Sequence, residues 1–136
     1  MKNMLKLFSA ATLMVSLPAL AGSFTLSSND IAQGEFMDKQ QEFGGFGCSG
    51  EDLSPHLKWS NAPEGTKSFA ITAYDPDAPT GSGWWHWQVV NIAANVTETA
   101  TNAGSAMEDL APAGSTQIQN DYGVAAFGGA CPPEGH

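Results

Sequence analysis

Apolar and polar positions alternate with period two in four stretches of this chain, and each reads as a short strand. Residues 24–27, Phe-Thr-Leu-Ser, form the first. In residues 54–59 the alternation puts Leu57 and Trp59 on one face and turns His56 the other way, as a surface histidine. Residues 67–74 put Phe69, Ile71 and Ala73 on a common face, and residues 86–93 run back into the core. Between them the period is lost. Residues 29–52 turn glycine-rich and read as a long loop, and residues 61–66 are dense in turn formers. Residues 95–114 are small and polar and read as a surface excursion. Gly104 and the lack of an apolar stripe argue against more than a helical turn over 100–110.

The connection between the last two strands carries the chemistry. It reads Tyr74-Asp75-Pro76-Asp77-Ala78-Pro79-Thr80-Gly81-Ser82-Gly83-Trp84-Trp85-His86-Trp87. Each proline fixes φ and removes a donor, so the carboxylates of Asp75 and Asp77 stand on a stiff turn before any ligand arrives. Asp75 follows a strand with a buried face, which makes its position rigid. Three tryptophans around one histidine point to an apolar wall with one titratable group in it. The plainer readings are an exposed turn and a core histidine whose hydrogen bonds are satisfied. No nucleophile stands at a catalytic spacing from Asp75 and His86, since Ser82 lies in a Gly-Ser-Gly turn rather than a nucleophile elbow. Clustered metal ligands are absent from the sequence too, so neither an enzyme nor a metal protein is expected, and no cofactor.

Charge narrows the partners. The 136 residues carry a net charge of -9 and suffice for one domain. Lys2 and Lys6 precede an apolar run that ends at Ala19-Leu20-Ala21, the pattern of a cleaved secretory signal over residues 1–21. The run is too short for a membrane span and is broken by Pro18. The domain expected after cleavage is 22–136, with three lysines, no arginine and fourteen acids, a balance of −11. Such a surface disfavours nucleic acid and anionic membranes. Export to an oxidising compartment, periplasmic or extracellular, permits a bridge between Cys48 and Cys131, both in glycine-rich loops.

Asp75-Pro76-Asp77-Ala78-Pro79, His86 ahead of Val89-Val90-Asn91, and Gly128-Gly129-Ala130-Cys131-Pro132-Pro133-Glu134-Gly135 together resemble the phosphatidylethanolamine-binding protein family, in its bacterial Raf-kinase-inhibitor-like branch. The resemblance runs from about Phe24 to the end of the chain. It implies a mainly β fold with a central antiparallel sheet, a smaller second sheet and few short helices. The family's last strands and terminal helix are missing from this sequence, and His136 reads as a loop residue ahead of the family's second pocket histidine. The pocket tyrosine that follows that histidine has no counterpart. The resemblance also implies a small anion pocket at Asp75, Ala78, Pro79, Trp84, His86, Gly129, Cys131 and Pro132, with His86 and the N–H groups around Gly128 and Gly129 as donors. Asp75 is then protonated in the occupied state, or orients and charges His86, or pairs with the ammonium of a phosphoethanolamine-like ligand. The function implied is an exported binding protein for phosphate-type groups. The alternative is a secreted inhibitor of a protein kinase or protease, and hydrolase or metal-binding readings rank below it.

Overall fold

A computed structural model of the chain describes residues 22–134. The expected signal over 1–21 and the reading of His136 lie outside the described residues. The elements are β1 (Thr25–Ser27), β2 (Leu57–Ser60), β3 (Ser68–Asp75), β4 (Trp84–Ala93), β5 (Glu98–Thr99) and β6 (Thr116–Gln117). They form two three-stranded antiparallel sheets, ordered β1-β2-β5 and β3-β4-β6. No helix occurs among the described residues; residues 101–104, where a helical turn was conceivable, form turns only.

The long hairpin β3–β4 organises the rest. Its inward residues Ile71, Trp87, Val89 and Ile92 meet Trp59 of β2, and Ala103 and Phe127 close the core from the loops. Burying each of the larger of these side chains contributes roughly 1.5 to 3 kcal/mol. Trp87, almost wholly buried, donates its indole N–H to Gln117 Oε1 at 2.7 Å, whereas the indole N–H of Trp59 in the same core is buried without a partner. Gly104 is buried against this cluster, where a Cβ would come within 2.6 Å of Phe127 Cβ and 2.9 Å of Trp87 Cε2.

Two segments of the surface excursion and its continuation add short strands that alternation does not announce. β5 pairs Thr99 with Leu57, and β6 pairs Gln117 with Val89. His56 is half-buried and structural: its backbone N–H donates to Asp30 Oδ2 at 2.6 Å, and its Nδ1 accepts from the Asn29 N–H at 3.2 Å. Asp30 also accepts from the Thr101 hydroxyl at 2.6 Å. These hydrogen bonds, that of the His56 N–H first, hold its carboxyl below the ordinary range.

Cys48 and Cys131 form a disulfide across a sequence separation of 83 residues, with Cα atoms 5.9 Å apart. The backbone runs in register beside it, where Phe43 N donates to Ala130 O at 3.0 Å. An apolar cleft of about 340 Å³ runs along β3 and β2 between the sheets, lined by Leu26, Leu57, Trp59, Phe69 and Ile71 among others. Among the described residues β3 has a strand neighbour on one side only.

Candidate functional site

The turn after β3 is stiff for reasons visible atom by atom. Asp75 Oδ1 accepts from the Asp77 N–H at 2.9 Å, which folds the Asp-Pro-Asp segment back on itself. The Thr80 hydroxyl donates to Gly83 O, and the Tyr74 hydroxyl reaches over to Ser82 O at 2.7 Å. Gly83 has φ of 70°, and a Cβ there would lie 2.3 Å from the Tyr74 hydroxyl, so only glycine closes this turn. The Tyr74 and Trp85 rings pack at 4.5 Å across the base of the hairpin.

His86 stands at a break in the ladder. Ala73 pairs with Trp87 and Tyr74 with Trp85, so His86 is the extra, unpaired residue of a β-bulge. Bulges re-aim a side chain and release backbone groups from the ladder. The released His86 carbonyl accepts from the Gly128 N–H at 2.9 Å and from Asn120 Nδ2 at 3.2 Å. The ring is fixed in turn, with Nδ1 2.7 Å from the Gly128 carbonyl. A carbonyl only accepts, so Nδ1 carries a proton, and in the neutral ring Nε2 is a bare acceptor. Asn120 is buried and uses both ends of its amide, donating to His86 O and Ala126 O while accepting from the Tyr122 and Val124 N–H groups.

A cavity of about 380 Å³ opens between this turn and the glycine-rich loops. Asp75, Ala78, Pro79, Trp84, His86, Cys131 and Pro132 all line it, together with Phe46, Asp77, Thr80, Tyr122 and Pro133. Seven residues expected at the site thus come together from the hairpin and from the segment near the disulfide. Gly129 does not join them. It is buried behind the wall, where a Cβ would lie 2.3 Å from Gln41 O, and its N–H goes to Asp52 Oδ1 at 2.5 Å. The Gly128 N–H goes to His86 O, so neither of these two glycine N–H groups is free for a ligand. Close backbone packing explains both glycines. The expectation that they serve as anion donors is corrected accordingly.

The missed members come from loops remote in sequence. Tyr122 packs on Phe43 at 4.5 Å and meets the edge of Trp84 at 5.2 Å, and its hydroxyl donates to Gly129 O at 2.7 Å. Phe46 leans on the same ring at 5.9 Å with φ of 55°, an uncommon conformation for a bulky residue. The pairing of Asp121 with strand β4 through the Trp85 N–H, at 2.7 Å, is what anchors Tyr122 beside the cavity. The dipeptide Asp121-Tyr122 was the available signal, since it leads directly into the Gly128-Gly129 loop.

The electrostatics are lopsided. Asp75 and Asp77 face the cavity, and among the described residues no lysine does. Burial pushes the Asp52 carboxyl up, against the Gly129 hydrogen bond and the attraction of His86. Burial also pushes the Tyr122 hydroxyl up, helped by the charges of Asp52 and Asp75. The Trp84 indole N–H lies near enough to the Tyr122 oxygen to oppose part of that rise, yet it makes no well-formed hydrogen bond, and Nε1 is buried without a partner.

Two packed antiparallel sheets, with a small cavity at the turn end of the central hairpin, define a β-scaffold whose site is carried by loops. The sequence profile described as phosphatidylethanolamine-binding protein matches residues 27–136, and the chain belongs to that family. It is 54% identical to the Escherichia coli protein YbcL over 121 residues, covering 89% of this chain and 66% of YbcL. With YbhB of E. coli the identity is 46% over 81% of this chain and 69% of YbhB. LppC of Mycobacterium tuberculosis, whose name marks it as a lipoprotein, is 33% identical over 93% of this chain and 56% of its own. The crystal structure of YbcL, titled a member of the mammalian PEBP family, superposes with a TM-score of 0.82 over 85% of this chain and 70% of that one. The chain therefore spans about two thirds of the length of its E. coli relatives.

Proposed function

We propose that the protein is an exported binding protein whose cavity takes a small anionic group of the phosphate or phosphoethanolamine type. The observation that carries this reading is the His86 ring on the cavity wall, fixed by its Nδ1 against the Gly128 carbonyl. With Nδ1 held by Gly128, a protonated His86 has only Nε2–H left to donate, and it donates to an anion oxygen. The neutral ring turns a lone pair to the same oxygen and repels it. Asp75 keeps Oδ2 unbonded on the same wall as His86, which suits a ligand with an ammonium end as well as a phosphate. Its Oδ1 holds the turn and His86 has another Nδ1 partner, so pairing with an ammonium is the best supported of the three roles considered for Asp75.

Export rests on the leader pattern, on the disulfide and on the lipoprotein name of one relative. The reading is non-enzymatic: the two hydroxyl-bearing residues on the wall are engaged, Thr80 donating to Gly83 O and Tyr122 to Gly129 O. Calorimetric titration with phosphoethanolamine, inorganic phosphate and ethanolamine tests it. Phosphoethanolamine is expected to bind most tightly and His86→Ala to abolish binding. Equal affinity in wild type and His86→Ala would overturn the role of the histidine, and absence of binding to all three would overturn the function.

A further inference from the structure

Nothing in the sequence singles out Asp52, and it does not line the cavity. It sits in the loop ahead of β2, half-buried, with φ of 59°. Its Oδ1 accepts from the Gly129 N–H at 2.5 Å. The carbonyl that accepts from His86 Nδ1 at 2.7 Å is that of Gly128. These two groups belong to one peptide unit, the plane that joins Gly128 to Gly129. The carboxylate, the peptide and the imidazole therefore form a continuous line of two short hydrogen bonds. A negative charge on the N–H side of an amide draws its electrons toward the oxygen, so the carbonyl becomes a stronger acceptor for the Nδ1 proton.

We propose that Asp52 is a positioning residue for His86: through the Gly128–Gly129 peptide its carboxylate fixes the Nδ1 proton and favours the imidazolium form that an anion needs. This rests on the anion-binding reading of the cavity and assigns that site its regulation by pH. The other titratable groups facing His86 are Asp75 and Asp77 from the turn after β3 and Tyr122 from the loop after β6. Asp121 bonds to the Trp85 backbone. Of these, Asp75 uses Oδ1 on the Asp77 N–H and Tyr122 donates to Gly129 O, so neither substitutes for Asp52 at the peptide.

Asp52→Asn is a clean perturbation. Asparagine tolerates positive φ as aspartate does, and its amide oxygen still accepts from the Gly129 N–H, so the backbone stays and the charge goes. Burial holds the Asp52 carboxyl up, so the folded state binds its proton more readily than the unfolded chain. Stability is therefore lost as pH rises through that window, and removing the charge leaves the melting temperature at neutral pH equal or higher. The control is Glu51→Gln, which removes one charge from the neighbouring exposed residue without touching the peptide.

Two measurements on the full chain decide the matter. The first is the proton NMR resonance of His86 Nδ1–H in the ligand-free protein, which needs no binding. Asp52→Asn is expected to move it upfield and Glu51→Gln to leave it in place. The second is phosphoethanolamine affinity against pH. Asp52→Asn is expected to shift the alkaline fall of affinity by about half to one pH unit toward acid, a loss of about 3- to 10-fold at fixed pH on that limb. An unmoved Nδ1–H resonance, or equal shifts in the two variants, would overturn the relay. Wild type that binds nothing at any pH would sink the binding function, while the resonance would still decide the role of Asp52.

Discussion

Removing the Cys48–Cys131 bridge is expected to cost a large part of the stability of this domain while leaving its folded geometry in place. The perturbation is the double substitution Cys48→Ser with Cys131→Ser. The bridge closes a loop of 83 residues, and the chain-entropy treatment assigns such a ring about 4.5 kcal/mol at room temperature, acting through the unfolded state. That is about a third to nine tenths of the ~5 to 15 kcal/mol that holds a typical domain together. On the folded side the same segments stay joined without sulfur, through Phe43 N to Ala130 O, Asp52 N to Glu42 O at 3.0 Å, and Asp52 Oδ1 to the Gly129 N–H. Equilibrium unfolding in urea, followed by tryptophan fluorescence, measures the loss. The expected result is a midpoint shifted far toward low urea, with native fluorescence unchanged in buffer. A loss below about 1 kcal/mol would refute the reasoning, because it would mean that the open chain is as restricted as the ring. Thiol titration of denatured, unreduced protein should find no free thiol, and two per chain would refute the pairing itself.

Further outcomes follow from single contacts. Phosphate or phosphoethanolamine affinity should fall as pH rises, since with Nδ1 on Gly128 O only the protonated ring has an Nε2–H to donate, and a flat profile would remove His86 from the site. Gly104→Ala should destabilise by about 1 to 3 kcal/mol in urea unfolding, since the added methyl would meet Phe127, Trp87 and Ser54 at 3.0 Å or less; a neutral result would show a softer core than the structure has. Asp30 has its carboxyl held low by the His56 N–H and the Thr101 hydroxyl, so its contribution is present above the ordinary aspartate value of 3.8 and lost as pH falls through the lower folded value. Asp30→Asn should flatten that acid limb of the stability curve, and an unchanged limb would refute the assignment.

Much of the central hairpin was legible because its two long strands alternate and because prolines and glycines punctuate the turn between them. Phe69, Ile71 and Ala73 face inward as the period demands. β5 and β6 were not legible, since a pair of residues has no period and Glu98–Thr99 and Thr116–Gln117 are strands only by virtue of their neighbours. Seven expected site residues share the cavity because turn chemistry and the Pro-Pro segment fix them locally. Phe46, Tyr122 and Asp52 escaped notice for the opposite reason. Each reaches the site through a contact remote in sequence, such as the 77 residues between Asp52 and Gly129. Gly129 was misjudged because a glycine that lets backbone meet backbone looks, in sequence, like one that lets backbone meet a ligand.

The bulge at His86 bears on how the hairpin finds its alignment. Were β4 to slide by one residue so that the bulge at His86 closed, the ladder would gain a pair there, and Trp87 would turn outward to the place His86 now holds. The core face of the hairpin disfavours that frame, since Trp87 and Val89 would leave the core. The native frame is also held from outside the hairpin, where Gly128 N–H and Asn120 Nδ2 both claim the carbonyl that the bulge sets free. The loop that walls the cavity thus also acts as the template against which the central strands are aligned, and an error in docking that loop would be copied into the strand as a frameshift of its side chains.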